Sequence, residues 1–180
     1  MKTRKYAFNA LVCAVVVLLT AHATVRASDE SDVRSSVQRV FEQLKSHHYG
    51  ALYDVLPNSS RARMSRDRFI SALQRAQDIY SLDRLEVGRI KVAGNLAVVD
   101  TILYGRIAPI QAEGKIVAQQ YLVREDGTWR VATGDQGTVR KFLAANPGFA
   151  KGFKIRSPRI YIKDNGQWVE FKPPVRRRPT

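Results

Sequence analysis

Apolar residues in the N-terminal half of the chain recur every three to four positions, which is the spacing of amphipathic helices. One apolar stripe predicts a helix over about Asp32–His48, with charged side chains on its opposite face. A short helix is predicted at Ala51–Leu56, and Asn58-Ser59-Ser60 is predicted to be a loop. Ser65 is a favourable N-cap for a third helix from Arg66 to about Tyr80. The buried stripe of this third helix is predicted to contain Phe69, Leu73, Ala76 and either Tyr80 or Ile79.

Beyond the third helix the pattern changes to the alternation of β-strands. Strands are predicted at Arg84–Val92 and at Leu96–Arg106, and the second is apolar on both faces, as expected of a central strand covered by helices on one side. Ile116–Gly134 predicts a hairpin that turns at Glu125-Asp126-Gly127, because Asp-Gly adopts the positive φ angles of a tight turn. Trp129, two residues after that turn, is predicted to be buried.

The C-terminal part predicts a short helix at Thr138–Ala145 and a second hairpin at Arg159–Phe171, with an Asn165-Gly166 turn. Residues 172–180, rich in proline and arginine, are predicted to be disordered. Together these patterns predict an α+β fold, in which N-terminal helices pack against a curved antiparallel sheet and a C-terminal basic hairpin follows.

The N-terminus has the layout of a secretory signal peptide. A basic segment at residues 2–5 precedes an apolar run, Ala7–Ala21, and small residues follow it. Cleavage is predicted after Ala27, with Ala23 as the second choice. An uncleaved membrane anchor is the alternative, but the apolar run is shorter than the roughly 20 residues of a spanning helix. The predicted organisation is therefore a signal peptide at 1–27, an α+β domain at 28–136, a helix and basic hairpin at 137–171, and a tail at 172–180.

Cys13, the one cysteine, lies inside the predicted signal peptide. The mature chain would then have neither a disulfide nor a thiol nucleophile. Export without disulfides is typical of a bacterial envelope protein, so a periplasmic or secreted location is expected.

Positive charge is concentrated at the two ends of the chain. The formal net charge is +14, and residues 140–180 carry eleven lysines and arginines against Asp164 and Glu170. Residues 28–139 are close to neutral, with fifteen basic and fourteen acidic side chains. The excess positive charge therefore lies outside the main domain, and the C-terminal segment is the candidate surface for anionic partners.

The order of elements resembles the nuclear transport factor 2-like superfamily, in which a curved sheet wraps a long first helix to form an α+β cone. The resemblance rests on residues 40–44, 53–56, 64–69 and 124–131, and it covers about residues 31–134. It is a likeness of element order and loose pattern, closest to exported bacterial members of unknown function. It implies a pocket used either for cofactor-independent acid–base chemistry, as in ketosteroid isomerases and small dehydratases, or for binding and dimerisation alone.

The resemblance suggests polar candidates for the lining of such a pocket. These pocket candidates are Tyr53, Asp100, Tyr104, Arg106, Gln119 and Tyr121. Purely structural roles are the alternative: Asp100 would pair with an arginine across the sheet, Tyr104 would belong to the core, and Tyr53 would pack under a loop. Adjacent Gln119 and Gln120 leave open which of the two points inward.

No catalytic or metal-binding motif supports an enzyme. The sequence has no HExxH motif, no Gly-x-Ser-x-Gly elbow, no glycine-rich phosphate loop and no clustered metal ligands. His47 and His48 are adjacent at the predicted end of the first helix and cannot both face the core. We therefore expect a non-catalytic domain without catalytic residues, metal or cofactor, which binds a small ligand or an envelope protein and forms a homodimer through its open sheet face. A cofactor-independent isomerase- or dehydratase-like enzyme is the alternative.

A second alternative is binding to an anionic membrane or cell-wall surface through the C-terminal segment. The candidate residues are Lys154, Arg156, Arg159, Lys163, Arg176, Arg177 and Arg178. Tyr161 and Trp168 alternate with these charges and could stack on a sugar or a base. Export argues against nucleic acid as the natural partner. The structural alternative is a solvated basic hairpin followed by a flexible tail.

Overall fold

The computed structural model describes residues 28–132, 136–151 and 156–171. The fold is α+β, with helices followed by a curved, six-stranded antiparallel sheet. Helix α1 covers residues 28–45. The other helices are α2 (Tyr49–Asp54), α3 (Asn58–Arg61), α4 (Arg66–Gln77), α5 (Gln136–Ala145) and α6 (Pro147–Lys151). The predicted signal peptide and the predicted tail lie outside the described residues.

The strands are β1 (Tyr80–Ala93), β2 (Leu96–Ile107), β3 (Ala112–Glu125), β4 (Thr128–Val131), β5 (Arg159–Asp164) and β6 (Gln167–Phe171). They are ordered β1-β2-β3-β5-β6, and β4 also pairs with β3. The predicted central strand lies within β2, which has β1 on one side and β3 on the other. Strands β5 and β6 pair with each other across the turn at Asn165-Gly166.

Two strands share one edge of β3. β4 pairs with Leu122–Glu125 at the C-terminal end of β3, whereas β5 pairs with Gly114–Val117 at its N-terminal end. Residues 118–121 lie between the two and have no strand partner on this edge within the described chain. The backbone N–H of Ala132 donates to the carbonyl of Tyr121 at 2.7 Å, which closes one end of this gap. Gln119, one of the pocket candidates, lies inside this gap.

The main core lies between α1 and the sheet. Its buried members are Val33, Val37, Ala97, Val99, Leu122, Trp129 and Val131. The predicted hairpin turn is confirmed, because Asp126 and Gly127 have φ angles of 50° and 74°. The predicted burial of Trp129 is confirmed as well, since only 4% of its surface is exposed.

A second apolar cluster covers part of the opposite face of the sheet. There Leu96 of β2 packs with Val139 and Leu143 of α5, and Phe149 of α6 adds to the contact. The sheet therefore lies between two helical layers at this end. The rest of that face, beyond α5 and α6, remains available for polar residues.

Several predicted boundaries are wrong, among them the three that follow. Residues 58–60 belong to helix α3, whose N-cap is Pro57. The third predicted helix ends at Gln77, and Tyr80 instead begins β1 opposite Ile107, so sheet pairing outweighs the helical periodicity there. Residues 147–151 form α6 where the sequence predicted only the end of a helix.

Candidate functional site

An apolar cavity of about 230 Å³ lies between the helices and the sheet. Its walls are apolar side chains of α1, α2 and α4 together with Leu85, Leu103 and Val131 of the sheet. Gln120 is the one polar side chain among the described residues that line it. The amide nitrogen of Gln120 lies 3.5 Å from the Thr101 hydroxyl. The cavity therefore has apolar walls and one side chain able to hydrogen-bond a ligand.

The cavity exists because α4 does not close fully on the sheet. Ser65 caps α4 by accepting a hydrogen bond from the Arg68 N–H at 3.4 Å, which confirms the predicted N-cap. The apolar stripe of this helix is directed inward, yet no residue of α4 is fully buried. Phe69 and Leu73 are half-buried and line the cavity. The spacing between α4 and the sheet thus leaves space that larger side chains or a ligand could fill.

A second apolar cavity of about 310 Å³ adjoins the first and shares Leu44 and Leu103 with it. Gly105 and Gly114 face each other across β2 and β3 in its floor, and neither contributes a side chain. Ile116 and Phe171 also line it, and both are exposed large apolar residues. The two cavities are neighbours on the helical face of the sheet, and together we call them the apolar groove.

Four of the pocket candidates lie on the other face of the sheet. Strand alternation directs Val99 towards α1, and it therefore directs its neighbour Asp100 away from that helix. Gln119 is paired with Asp100, and Tyr121 lies two residues further along β3 on the same face. The Tyr104 hydroxyl donates to the Glu86 carboxylate at 3.2 Å. None of these four residues lines the smaller cavity beneath the helices, whereas Tyr104 borders the larger one.

Arg106 and Tyr53, the other two pocket candidates, lie apart from Asp100, Gln119 and Tyr121. Arg106 is exposed near the end of β2, opposite Glu113, and it borders the larger cavity. The Tyr53 hydroxyl donates to the carbonyls of Arg61 and Met64, at 3.3 and 2.8 Å, so Tyr53 packs under the connection between α3 and α4. Its ring lies 5.7 Å from that of Phe69. The six pocket candidates therefore do not form one site.

Asp100, Gln119 and Tyr121 form a polar network with Arg156. The Gln119 carbonyl oxygen accepts hydrogen bonds from the Arg156 backbone N–H at 2.9 Å and from the Tyr121 hydroxyl at 3.1 Å. Its amide nitrogen donates to Asp100 Oδ1 at 3.3 Å, and the Arg156 guanidinium pairs with the same carboxylate. The arginine partner of Asp100 comes from the segment that precedes β5. Gln119, only 7% exposed, is the centre of this network.

Tyr121 is expected to reduce stability above about pH 10. Burial raises the pKa of the Tyr121 hydroxyl above its usual value of 10.0; Arg156 partly opposes this effect, and Asp100 adds to it. The unfolded chain therefore loses this proton at lower pH than the folded chain, so stability is complete below about pH 10 and falls as the pH rises past it. Urea midpoints from about pH 8 to about pH 11 should decline less steeply for Tyr121→Phe than for the wild type. Equal slopes would contradict the assignment, since Tyr49, whose pKa burial also raises, contributes equally to both proteins.

Three of the anionic-surface candidates are described, and two of them are paired. Arg156 pairs with Asp100, and Lys163 pairs with Glu113 at 2.9 Å. Arg159 lies with its guanidinium carbon 5.8 Å from the centre of the Tyr161 ring. Lys154, Arg176, Arg177 and Arg178 lie outside the described residues.

His47 and His48 lie just after the end of α1 and are exposed. His47 has a φ angle of 60°, and the His48 Nδ1 lies 3.2 Å from the Ser46 hydroxyl. Within the described segments, no group of three His, Cys, Asp or Glu side chains could hold a metal ion. No helix of these segments combines the length and apolar composition needed to cross a membrane.

Sequence reasoning missed the residues that define the apolar groove. Leu103 and Gln120 belong to the helical face, and Gly105 and Gly114 leave it open. The sequence does contain one indication of the groove. Odd-numbered residues of the second predicted strand share one face, and Leu103 and Gly105 lie on that face with Val99. Small residues at that end of an otherwise apolar face indicate missing side-chain volume.

No protein-family model matches this chain, and no curated protein matches it.

Proposed function

We propose that this protein is an exported, non-catalytic binding domain that holds an elongated apolar small molecule in the apolar groove. The observation that carries the proposal is that two neighbouring apolar cavities share Leu44 and Leu103 in their walls. The larger cavity, about 310 Å³, reaches the lower end of the range of roughly 300–1,000 Å³ found for small-molecule pockets. Apolar walls favour a hydrocarbon-like ligand, because burial of apolar surface is the main favourable term.

The chemistry of the lining supports binding rather than catalysis. An acid–base enzyme needs a base within hydrogen-bonding reach of its substrate and donors that stabilise the developing charge. The described lining of the smaller cavity contains no titratable side chain, and Gln120 supplies the hydrogen-bonding group. The larger cavity is bordered by Tyr80, Tyr104, Arg106 and Lys115, but no carboxylate or histidine is among the described residues that line it. Of the two residues favoured for the enzymatic alternative, Asp100 lies on the opposite face, and Tyr104 donates its hydroxyl to Glu86. Gln120 would orient one polar atom of the ligand.

The arrangement of helices and sheet is compatible with membership of the nuclear transport factor 2-like superfamily, in which the groove would correspond to the interior of the cone. The N-terminal pattern of a basic segment followed by Ala7–Ala21 supports export to the periplasm or the medium. In that compartment, a binding domain of this kind would carry or sense an apolar compound.

Replacing Leu103 with tryptophan tests the proposal. Leu103 lines both cavities, so an indole at this position fills the groove. The neutral fluorophore N-phenyl-1-naphthylamine, excited directly, should bind the mature chain with increased emission. Leu103→Trp should weaken this binding by about tenfold or more, which corresponds to roughly 1.4 kcal/mol. Leu44→Trp fills the same groove from α1 and provides a second variant if the first does not fold.

Met64→Trp is the matched control, because Met64 is exposed and lines neither cavity. Its affinity for the probe should equal that of the wild type. Equal affinities in the folded Leu103, Leu44 and Met64 variants would disprove the proposal. A homodimer that covers the groove would instead give a doubled mass in light scattering, with probe binding only on dilution.

A further inference from the structure

A second groove crosses the face of the sheet that is directed away from α1. It has a volume of about 480 Å³ and extends from β1 to the segment that precedes β5. Its floor includes Ile102 and Val117, which are paired across β2 and β3. We call it the polar groove. It lies on the other side of the sheet from the apolar groove and is independent of the function proposed above.

The polar network fixes one wall of the polar groove. Gln119 lies in the stretch of β3 that neither β4 nor β5 covers, and its side chain holds the backbone of Arg156 at 2.9 Å. Asp100 is held in turn by Gln119 and by the Arg156 guanidinium. Gly88 on β1 allows the backbone of Asp100 to approach closely, since a Cβ at Gly88 would lie 3.2 Å from its carbonyl oxygen. The wall is therefore positioned by hydrogen bonds before any ligand arrives.

The charges of the polar groove do not cancel. Its two carboxylates already have arginine partners, because Glu86 pairs with Arg84 and Asp100 pairs with Arg156. Arg89 and Arg159 also line the groove, and within the described residues neither has a carboxylate partner. Two exposed guanidinium groups thus remain, one on β1 and one on β5. β1 and β5 are three strand positions apart, or about 14 Å at the usual spacing of roughly 4.8 Å.

We propose that the polar groove binds a small organic anion through Arg89 and Arg159. Guanidinium groups present paired N–H donors that match the oxygens of a carboxylate or a phosphate. Because their long side chains can reach inward from both sides, they would hold the anionic group above the strands. Ile102 and Val117 would contact the apolar part of the ligand. A carboxylate or phosphate attached to an apolar body is the chemical class that fits both features.

The test is a titration of the mature chain at low salt with phenyl phosphate and benzoate, followed by calorimetry and by amide chemical shifts. Inorganic phosphate and acetate are the matched probes without an apolar body, and they should bind more weakly. Arg89→Gln and Arg159→Gln should each weaken phenyl phosphate binding by about tenfold, and the double variant should abolish it. Raising the salt concentration should weaken the remaining binding.

Arg75→Gln is the control, because it removes the same charge from an exposed position in the last turn of α4, outside the polar groove. Its affinity should not change. Equal losses in the Arg75 variant and the groove variants would show a general charge effect and overturn the proposal. Binding only to vesicles containing phosphatidylglycerol, without binding to phenyl phosphate or benzoate, would also overturn it, because the site would then be a membrane surface. Arg89→Gln and Arg159→Gln should bind N-phenyl-1-naphthylamine as the wild type does. The test of the polar groove is then independent of the test of the apolar groove.

Discussion

Replacement of Trp129 by alanine should lower the free energy of unfolding by about 3–5 kcal/mol, the usual range for truncating a large buried side chain. Trp129 is 4% exposed and packs with Val33 and Leu122 in the main core. The guanidinium carbon of Arg124 also lies 4.9 Å from the centre of the Trp129 ring. The substitution removes these contacts together and leaves a cavity between α1 and the sheet. Urea unfolding followed by far-ultraviolet circular dichroism measures the loss without depending on tryptophan emission.

The second tryptophan of the chain provides the matched control. Trp168 is half-buried on β6. The centre of its ring lies 4.4 Å from the Lys115 Nζ and 6.1 Å from the centre of the Tyr104 ring. Trp168→Ala should therefore cost only about 1 kcal/mol. Similar losses for the two variants would mean that Trp129 is not the central residue of the core.

Gly105→Ala should destabilise the protein by about 2–3 kcal/mol, although it adds a single methyl group. A Cβ at this position would overlap the backbone carbonyl oxygen of Ser81 and would lie 3.3 Å from its carbon. The conflict involves backbone atoms of β1, next to the irregular register between Leu82 and Arg84, so no side-chain rotation can relieve it. We expect a lower urea midpoint and weaker pairing of β1 with β2.

Gly148→Ala is the control for this substitution. Gly148 lies in α6, and a Cβ there would meet no heavy atom within 4 Å in the described structure. Alanine has the higher helix propensity, so this variant should gain about 0.5 kcal/mol. If Gly105→Ala were as stable as Gly148→Ala, the close approach of β1 to β2 would be excluded.

Local signals in the sequence predicted local structure well. The Asp126-Gly127 turn and the Ser65 cap depend on neighbouring residues, and both are found in the structure. The α+β class and the order of helices before sheet follow from periodicity in the same way. The boundary near Tyr80 was missed because its pairing with Ile107 depends on a residue far along the chain.

The candidate sites were less predictable because they depend on distant pairings. Adjacent Gln119 and Gln120 are chemically equivalent in the sequence, and the register of β3 decides that Gln120 lines the apolar groove while Gln119 faces the polar groove. The contact between Asp100 and Arg156 requires the segment before β5 to reach the edge of β3. Periodicity likewise identified the inner side of α4 but not its distance from the sheet, which determines the volume beneath it.

The shared edge of β3 also has a consequence for the order of folding. β4 follows β3 after a tight turn, whereas β5 comes much later in the sequence. Closing a short loop costs less chain entropy, and contacts between near neighbours form faster, so we expect β4 to pair with the C-terminal end of β3 before β5 pairs with its N-terminal end. The hairpin that forms first then limits how far β5 can pair along β3. We therefore expect the stretch around Gln119 to stay uncovered in the folded chain, and this stretch contributes Gln119 to the polar groove.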